Sequence, residues 1–251
     1  MRRSLAGFLL LAVPALLSAQ APAKFPPDSL VNVKVFPKST PVPQVLGAMR
    51  NFTSDLGVRC TFCHVGKEGQ PISQFDFPSD EKRPKQVARQ MMLMVAEINK
   101  RVDTLPGRTP GAISNVQVTC GTCHRGVNKP QPLALLLNDI GTQSGPDSAV
   151  KAYKALRTRY YGRAAYDFGE GSLSTAAFRL AQAKKFDEAK ALLDLNEEQF
   201  PASSGIAVFR GNIALMRADT AAAEAAFREA VKRDPNNQEA IGRIRAIGKQ
   251  P

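Results

Sequence analysis

Two short signatures of the same kind constrain this chain more than any other feature. They read CTFCH at residues 60–64 and CGTCH at residues 120–124, and they contain all four cysteines and both histidines of the 251 residues. Two thiols separated by two residues can each form a thioether bond to one haem, and the histidine that follows then lies beside the iron. The sequence therefore predicts two covalently attached haem c groups, with thioethers at Cys60, Cys63, Cys120 and Cys123 and axial imidazoles at His64 and His124.

Other chemistry uses the same pair of thiols. A Cys-x-x-Cys sequence also occurs as a redox disulfide, as a structural bridge and as half of a four-thiolate zinc site. Zinc sites of that kind usually have a shorter stretch between their two pairs, and zinc would leave both histidines without a role. Two complete signatures that use every cysteine and histidine favour haem over these alternatives.

The first 19 residues are typical of an export signal. Two arginines near the start are followed by an apolar run from Leu5 to Leu17 and then by small residues. We expect cleavage after Ala19 and a periplasmic or otherwise exported bacterial protein, with an uncleaved membrane anchor as the alternative. Export suits the haem prediction, because haem of this type is attached on the outer side of the bacterial inner membrane. No later stretch resembles a membrane span.

The charge of the chain is concentrated around the two signatures. The formal net charge is +12, and residues 20–134 contain 15 Lys and Arg against 8 Asp and Glu. Such a basic region could steer an acidic redox partner, or it could offset the propionates of two haems. Export and the absence of a matching motif argue against nucleic-acid binding.

A proline-rich arm and a short helix are predicted before the first signature. We expect residues 20–43 to lie along the following domain, and we expect a helix from about Pro41 to Gly57, where glycine permits a left-handed stop. Its apolar stripe is Val45, Leu46, Met49, Phe52 and Leu56. The Met49 thioether is a candidate sixth ligand of a haem iron, although most helical methionines simply pack in a core.

The same arrangement is predicted again before the second signature. Ser79 or Asp80 is the expected N-cap of a second helix, and a loop follows this helix and leads to Cys120. The helix has an apolar stripe of Val87, Met91, Met94, Ile98 and Val102. Met91 and Met94 share the inward face, so either can be a ligand. Residues 44–134 are therefore predicted to form one haem module.

These residues resemble the tetrahaem cytochrome c subunit of photosynthetic reaction centres. The resemblance covers roughly Val33 to Pro132 and is carried by Met49, SDLG at 54–57, both signatures and ARQMMLM at 88–94. It implies a helix beside each haem, with Met49 as sixth ligand of the first haem and Met91 of the second, and Met94 in reserve. The family subunit has four signatures and one haem with two histidine ligands, whereas this chain has two signatures and two histidines.

The carboxyl-terminal half, residues 135–251, is predicted to be a helical repeat domain. Pro201 and Pro235 are one 34-residue period apart, which is the length of a tetratricopeptide repeat. The second copy resembles that family at Gly211, Ala223, Phe227, Ala230 and Pro235. Helices near 147–160 and 238–247 are expected to cap the stack. The domain would dock a peptide or protein, or serve only as a helical spacer.

The predicted fold is thus mainly α: an irregular helical dihaem cytochrome c module followed by antiparallel helical hairpins of the tetratricopeptide type. We expect an exported multihaem electron carrier that passes single electrons between redox partner proteins, such as a membrane electron-transfer complex, rather than an enzyme. Two alternatives are a dihaem peroxidase-like enzyme, which would need a displaceable sixth ligand, and an assembly scaffold with structural haems.

Overall fold

The computed structural model describes residues 24–109, 111–112 and 116–248. Over these residues the chain forms eleven α-helices and no strand, apart from one isolated bridge between Val65 and Asp76. The helices are α1 (Val42–Leu56), α2 (Cys60–Cys63), α3 (Arg83–Val102), α4 (Cys120–His124), α5 (Leu133–Ser144), α6 (Pro146–Tyr160), α7 (Glu170–Gln182), α8 (Phe186–Gln199), α9 (Ser204–Met216), α10 (Thr220–Arg233) and α11 (Gln238–Ile247). The prediction of a mainly α fold is confirmed, while the expected export signal, residues 1–19, lies outside the described residues.

The chain divides into two compact units. The first contains the residues up to Asn51 together with Arg59–Val116, and the second contains Phe52–Val58 together with the chain from Gln117 onward. The first signature, in α2, therefore lies in the first unit. The second signature, in α4, lies in the second unit, together with the last turn of α1.

The end of α1 is built as its sequence predicts. Gly57 has a φ of +63°, a left-handed conformation that glycine adopts readily because it has no Cβ. A Cβ on Gly57 would lie 2.0 Å from the carbonyl oxygen of Gly126, and the Gly126 amide donates to the Asp55 carbonyl at 2.8 Å. The glycine at this stop therefore also permits close contact with the loop that follows the second signature.

The start of α3 corrects the sequence-based prediction. Neither Ser79 nor Asp80 caps this helix, which begins at Arg83 with Lys82 at the N-cap and Pro84 in its first turn. Instead, the Asp80 carboxylate forms an ion pair with the Arg89 guanidinium, with 2.8 Å between the nitrogen and the oxygen. Direct pairing with cationic side chains stabilises this carboxylate more than the partial charge of a helix end would.

The second unit has two apolar clusters between its helices. Helix α5 packs on α6 and α7, α6 packs on α8, and consecutive helices from α7 to α11 pack against one another. The helix starts repeat every 34 residues, from Glu170 to Ser204 and from Ser204 to Gln238. Close approach depends on small residues, because a Cβ on Gly211 would lie 2.5 Å from the Phe227 ring. These features confirm the predicted helical repeat and its last helix.

Helix α5 was not predicted from the sequence, which placed the first helix of the repeat domain near residue 147. The Leu137 side chain is fully buried in the core that also contains Tyr153 and Leu180. The run LALLL at 133–137 directly after Pro132 was the available signal, since proline is well suited to a helix start. No helix of the described chain is both long and apolar enough to cross a membrane.

Candidate haem sites

Each signature forms one turn of helix. Because residues three apart lie on the same face of a helix, Cys60 and Cys63 of α2 face the same side, as do Cys120 and Cys123 of α4. All four thiols are free, so neither pair is a disulfide. Within the described residues, no three His, Cys, Asp or Glu side chains form a group that could hold a bare metal ion.

The two histidines have the same hydrogen-bond arrangement. The His124 Nδ1 atom lies 2.8 Å from the Val127 carbonyl oxygen, and the His64 Nδ1 atom lies 3.3 Å from the Phe77 carbonyl oxygen. A carbonyl only accepts hydrogen bonds, so in each ring Nδ1 carries the proton and Nε2 keeps a free lone pair. This is how proteins usually orient an imidazole that binds a metal through its other nitrogen.

Aromatic rings form one wall around His64. Its ring meets the Phe77 ring edge-on with the centroids 4.9 Å apart, and Phe25 and Phe75 pack on Phe77 at 5.5 and 5.7 Å. Burial lowers the pKa of His64, the positive charge of Lys85 lowers it further, and the Phe77 carbonyl acts in the opposite direction. The neutral imidazole is therefore favoured, which is the form that binds iron.

The methionines named from the sequence lie on two helices whose apolar residues differ in exposure. Met49 on α1 is half-buried, while Met91 and Met94 on α3 are 40% and 50% exposed. No residue of the 20-residue α3 is buried, and Val87 of its apolar stripe is 41% exposed. Apolar helix faces of this size normally bury themselves against a partner. The pairings of Met49 with His64 and of Met91 with His124 stay predictions.

The donors and surfaces fit a c-type haem. Each signature offers two thiols on one face and an oriented imidazole, and the α3 stripe offers apolar surface for a flat macrocycle. In contrast, the repeat domain covers its own apolar residues, since Leu173, Leu180 and Leu192 are fully buried.

A cationic cluster beside the first signature escaped the sequence analysis. The Lys85 Nζ atom donates to the carbonyl oxygens of Phe77, Pro78 and Ser79 at 2.8, 2.9 and 2.7 Å and lies 3.1 Å from Asp80. Arg89 follows Lys85 by one helical turn, a spacing that places both on the same face. The sequence therefore held a signal for the pair, but not for the carbonyls that Lys85 binds.

The amino-terminal arm completes this cluster. The Asn32 side-chain amide donates to the Asp80 carboxylate at 2.9 Å, and Lys34 donates to it at 2.6 Å. These hydrogen bonds, above all the one from Arg89, hold the pKa of Asp80 well below its usual range. The arm therefore contacts the segment that leads into α3 through polar groups, and the bounds of the arm stay a prediction.

The second signature lies beside a carboxylate. Asp55 packs against Gly121, where a Cβ would lie 2.8 Å from the Asp55 Oδ1 atom. Burial raises the pKa of the Cys120 thiol, and the negative charge of Asp55 raises it further. A glycine between the two cysteines is thus what allows the acidic residue to approach.

The repeat domain has an open groove of 530 Å³ between α6 and α8. Its lining residues are Tyr153, Lys154, Arg157, Thr158, Tyr161, Glu198 and Gln199. Tyr161 lines this groove, with the Arg157 guanidinium 4.2 Å from its ring centroid. Its neighbour Tyr160 packs on the core and against Tyr166.

Comparisons with known proteins agree with the resemblance. Residues 70–159 match the family model of the photosynthetic reaction centre cytochrome C subunit. Among solved structures, the first TPR of Spaghetti (RPAP3) bound to HSP90 peptide SRMEEVD is 20% identical, covers 47% of this chain and 88% of that chain, and gives a TM-score of 0.32. No curated protein matches this chain.

The family match begins after the first signature, includes the second, and extends through α5 and most of α6. The cytochrome family implies c-type haem for the matched region, and the helices that follow repeat every 34 residues. Residues 70–159 are therefore similar to the photosynthetic reaction centre cytochrome c subunit, and they are followed by a helical repeat with the tetratricopeptide period.

Proposed function

We propose that this protein is an exported dihaem c-type cytochrome that passes single electrons between redox partners. The observation that carries this proposal is the shared geometry of the two signatures. In each, two free thiols lie on one helical turn and the following imidazole is oriented by a backbone carbonyl, so that Nε2 is free.

The proposed haems supply a reversible one-electron change between ferrous and ferric iron. The chain's own residues would hold them in place and set their surroundings. Cys60, Cys63, Cys120 and Cys123 would carry the thioethers, and His64 and His124 would be the proximal ligands. Met49 and Met91 are the proposed sixth ligands, with Met94 as the alternative to Met91.

The proposed domain organisation assigns one task to each segment. Residues 1–19 would direct export, residues 20–43 form the arm, residues 44–134 hold the haems and residues 135–251 form a docking domain. The arm's hydrogen bonds from Asn32 and Lys34 to Asp80 support its place beside the haem module. The open groove beside Tyr161 supports a docking role, and a periplasmic redox protein is the partner class proposed.

The haem content is tested on protein secreted by a bacterium that has the c-type haem attachment machinery. We expect the mass of the denatured protein to contain two covalent haems, and expect Cys60→Ala with Cys63→Ala to remove one of them. Cys120→Ala with Cys123→Ala should remove the other. A polypeptide without covalent haem would overturn the proposal.

The sixth ligands are tested by absorption spectra of the oxidised holoprotein. A methionine on ferric haem gives a weak charge-transfer band in the red, which Met49→Ala and Met91→Ala should each reduce by about half. Met92→Ala is the matched control, because Met92 does not share the proposed face. High-spin haem that binds cyanide readily in the unmodified protein would favour the peroxidase-like alternative.

A further inference from the structure

The first signature lies in a positively charged environment that acts on its histidine. The Phe77 carbonyl accepts from His64 Nδ1 and also, at 2.8 Å, from Lys85 Nζ. The Lys85 side chain is only 11% exposed, so solvent screens its charge weakly. Lys85 therefore competes for the acceptor that orients the imidazole and adds a positive charge one hydrogen bond away.

Neighbouring side chains keep this environment cationic. Lys34, Lys85 and Arg89 share a single carboxylate, that of Asp80. In addition, Lys82 donates to the Thr61 carbonyl within the signature itself. Lys34, Lys85 and Arg89 against the Asp80 carboxylate leave this cluster with a net positive charge.

The second signature has the opposite charge beside it. The Asp55 carboxylate packs on Gly121, and the Gly126 amide holds the Asp55 backbone through a 2.8 Å hydrogen bond. Arg125 follows His124 but is exposed, so its charge is screened by solvent. The His124 Nδ1 hydrogen bond to Val127 is also shorter than its counterpart at His64.

We propose that the haem at His64 has the higher reduction potential and that Lys85 and Asp55 set this order. The inference rests on the proposed dihaem function. A nearby cation stabilises the reduced site and a nearby anion stabilises the oxidised site. A stronger Nδ1 hydrogen bond makes the imidazole more electron-donating and lowers the potential, whereas Lys85 weakens this bond at His64 by sharing its acceptor.

The order of potentials gives the electron a direction. One electron passing from the site at His124 to the site at His64 would oxidise the first and reduce the second, with no bond formed and no proton moved. The site at His64 would then hold the electron until an external acceptor removed it. Lys85 and Asp55 are positioning and tuning residues in this scheme, since neither binds the iron.

The test is an equilibrium redox titration of the holoprotein, followed by absorbance and compared with two variants. Lys85→Met should lower only the higher potential, and Asp55→Asn should raise only the lower one. We expect each substitution to change the ratio of reduced to oxidised haem at its own site about tenfold, which is about 59 mV for a one-electron couple. Lys100→Met, at an exposed position on the same helix, is the charge-matched control and should move neither potential.

One further variant and a check of haem content separate the effect of charge from an effect on folding. Lys85→Arg keeps the cation and its donors and should preserve the higher potential, while Lys85→Met must retain two covalent haems to be counted. A protein without haem would overturn the proposed function. Two haems whose potentials are equal, or whose lower potential responds to Lys85→Met, would leave that function intact and overturn the assigned order.

Discussion

His64 and His124 illustrate how single residues are prepared for a ligand. Each ring is oriented by one backbone carbonyl, yet their neighbours differ: Lys85 shares the carbonyl at His64, and Asp55 lies beside the signature of His124. Two signatures of the same kind would therefore hold the proposed haems at different reduction potentials. The difference lies in residues outside the signatures, which no signature match would identify.

At the residue scale, two helical glycines should respond oppositely to alanine. Gly211→Ala places a Cβ 2.5 Å from the Phe227 ring and should destabilise the repeat domain by about 1–3 kcal/mol through overpacking. Gly242→Ala in α11 meets no atom within 4 Å and should stabilise by about 0.5–1 kcal/mol because alanine favours helix. Urea unfolding of both variants measures these changes, and equal shifts would contradict the close helix packing.

Another residue-scale prediction concerns Asn196, which is fully buried in the repeat domain. Its amide donates to Ser174 Oγ at 2.9 Å and to the Glu170 carbonyl at 3.0 Å, joining α8 to α7. Asn196→Ala removes both bonds, leaves the Glu170 carbonyl without this donor, and should cost about 1–3 kcal/mol of unfolding free energy. Asn236→Ala, at an exposed turn, is the control for urea unfolding, and an equally small effect at both positions would refute the prediction.

Among the helices, α3 depends most for its surroundings on contacts with residues that are distant in the sequence. Its apolar stripe covers no protein core, but its polar side is tied to the arm through Asp80, Arg89 and Asn32. Arg89 also donates to the Asn32 carbonyl at 3.2 Å. The arm and the helix thus form one polar assembly beside the first signature.

This assembly should weaken in acid. Because the folded pKa of Asp80 lies below its unfolded value of about 3.9, its contribution to stability is complete above that value and is lost as pH falls towards the folded pKa. Asp80→Asn should therefore lower the thermal midpoint of the holoprotein at pH 7, and its difference from the parent protein should shrink from about pH 5 downward. The control is Asp28→Asn, which removes only an exposed ion pair with Lys24. A difference independent of pH would show that the Asp80 charge does not act this way.

Considered as a whole molecule, the chain buries apolar residues in two different ways. The second unit has a protein-only core that includes Leu137, Tyr153 and Ile206. In the first unit, Val45 is the buried apolar residue among those that the structure describes. The first unit therefore has little core of its own, and a covalently attached apolar group would supply one.

Removing the haems should consequently affect the two units unequally. In a variant with alanine at all four cysteines, we expect the α3 amides to exchange with solvent much faster than in the holoprotein, because the uncovered helix opens easily. The amides of α7 to α9 should keep their protection. Hydrogen exchange followed by mass spectrometry makes the comparison, and full protection of α3 without haem would contradict a haem-dependent core.

Local sequence patterns were enough to identify the two haem-binding signatures and to predict the glycine stop after α1 and the 34-residue repeat. Each depends on residues close together in the chain or on a regular spacing that reflects helix geometry. The methionine pairings and the domain boundaries stay predictions. Helix α5 was not predicted, because a short apolar run has no helical periodicity of its own and becomes a helix through burial against the core.

The tertiary structure alone decided how charge is arranged around the signatures. Asn32 and Asp80 are 48 positions apart, and His64 meets the carbonyl of Phe77 across an intervening loop. A sequence states which residues carry charge but not which backbone oxygen a lysine will reach. The predicted cofactor type follows from the spacing of four cysteines and two histidines in the sequence. The proposed order of reduction potentials follows instead from contacts that only folding creates.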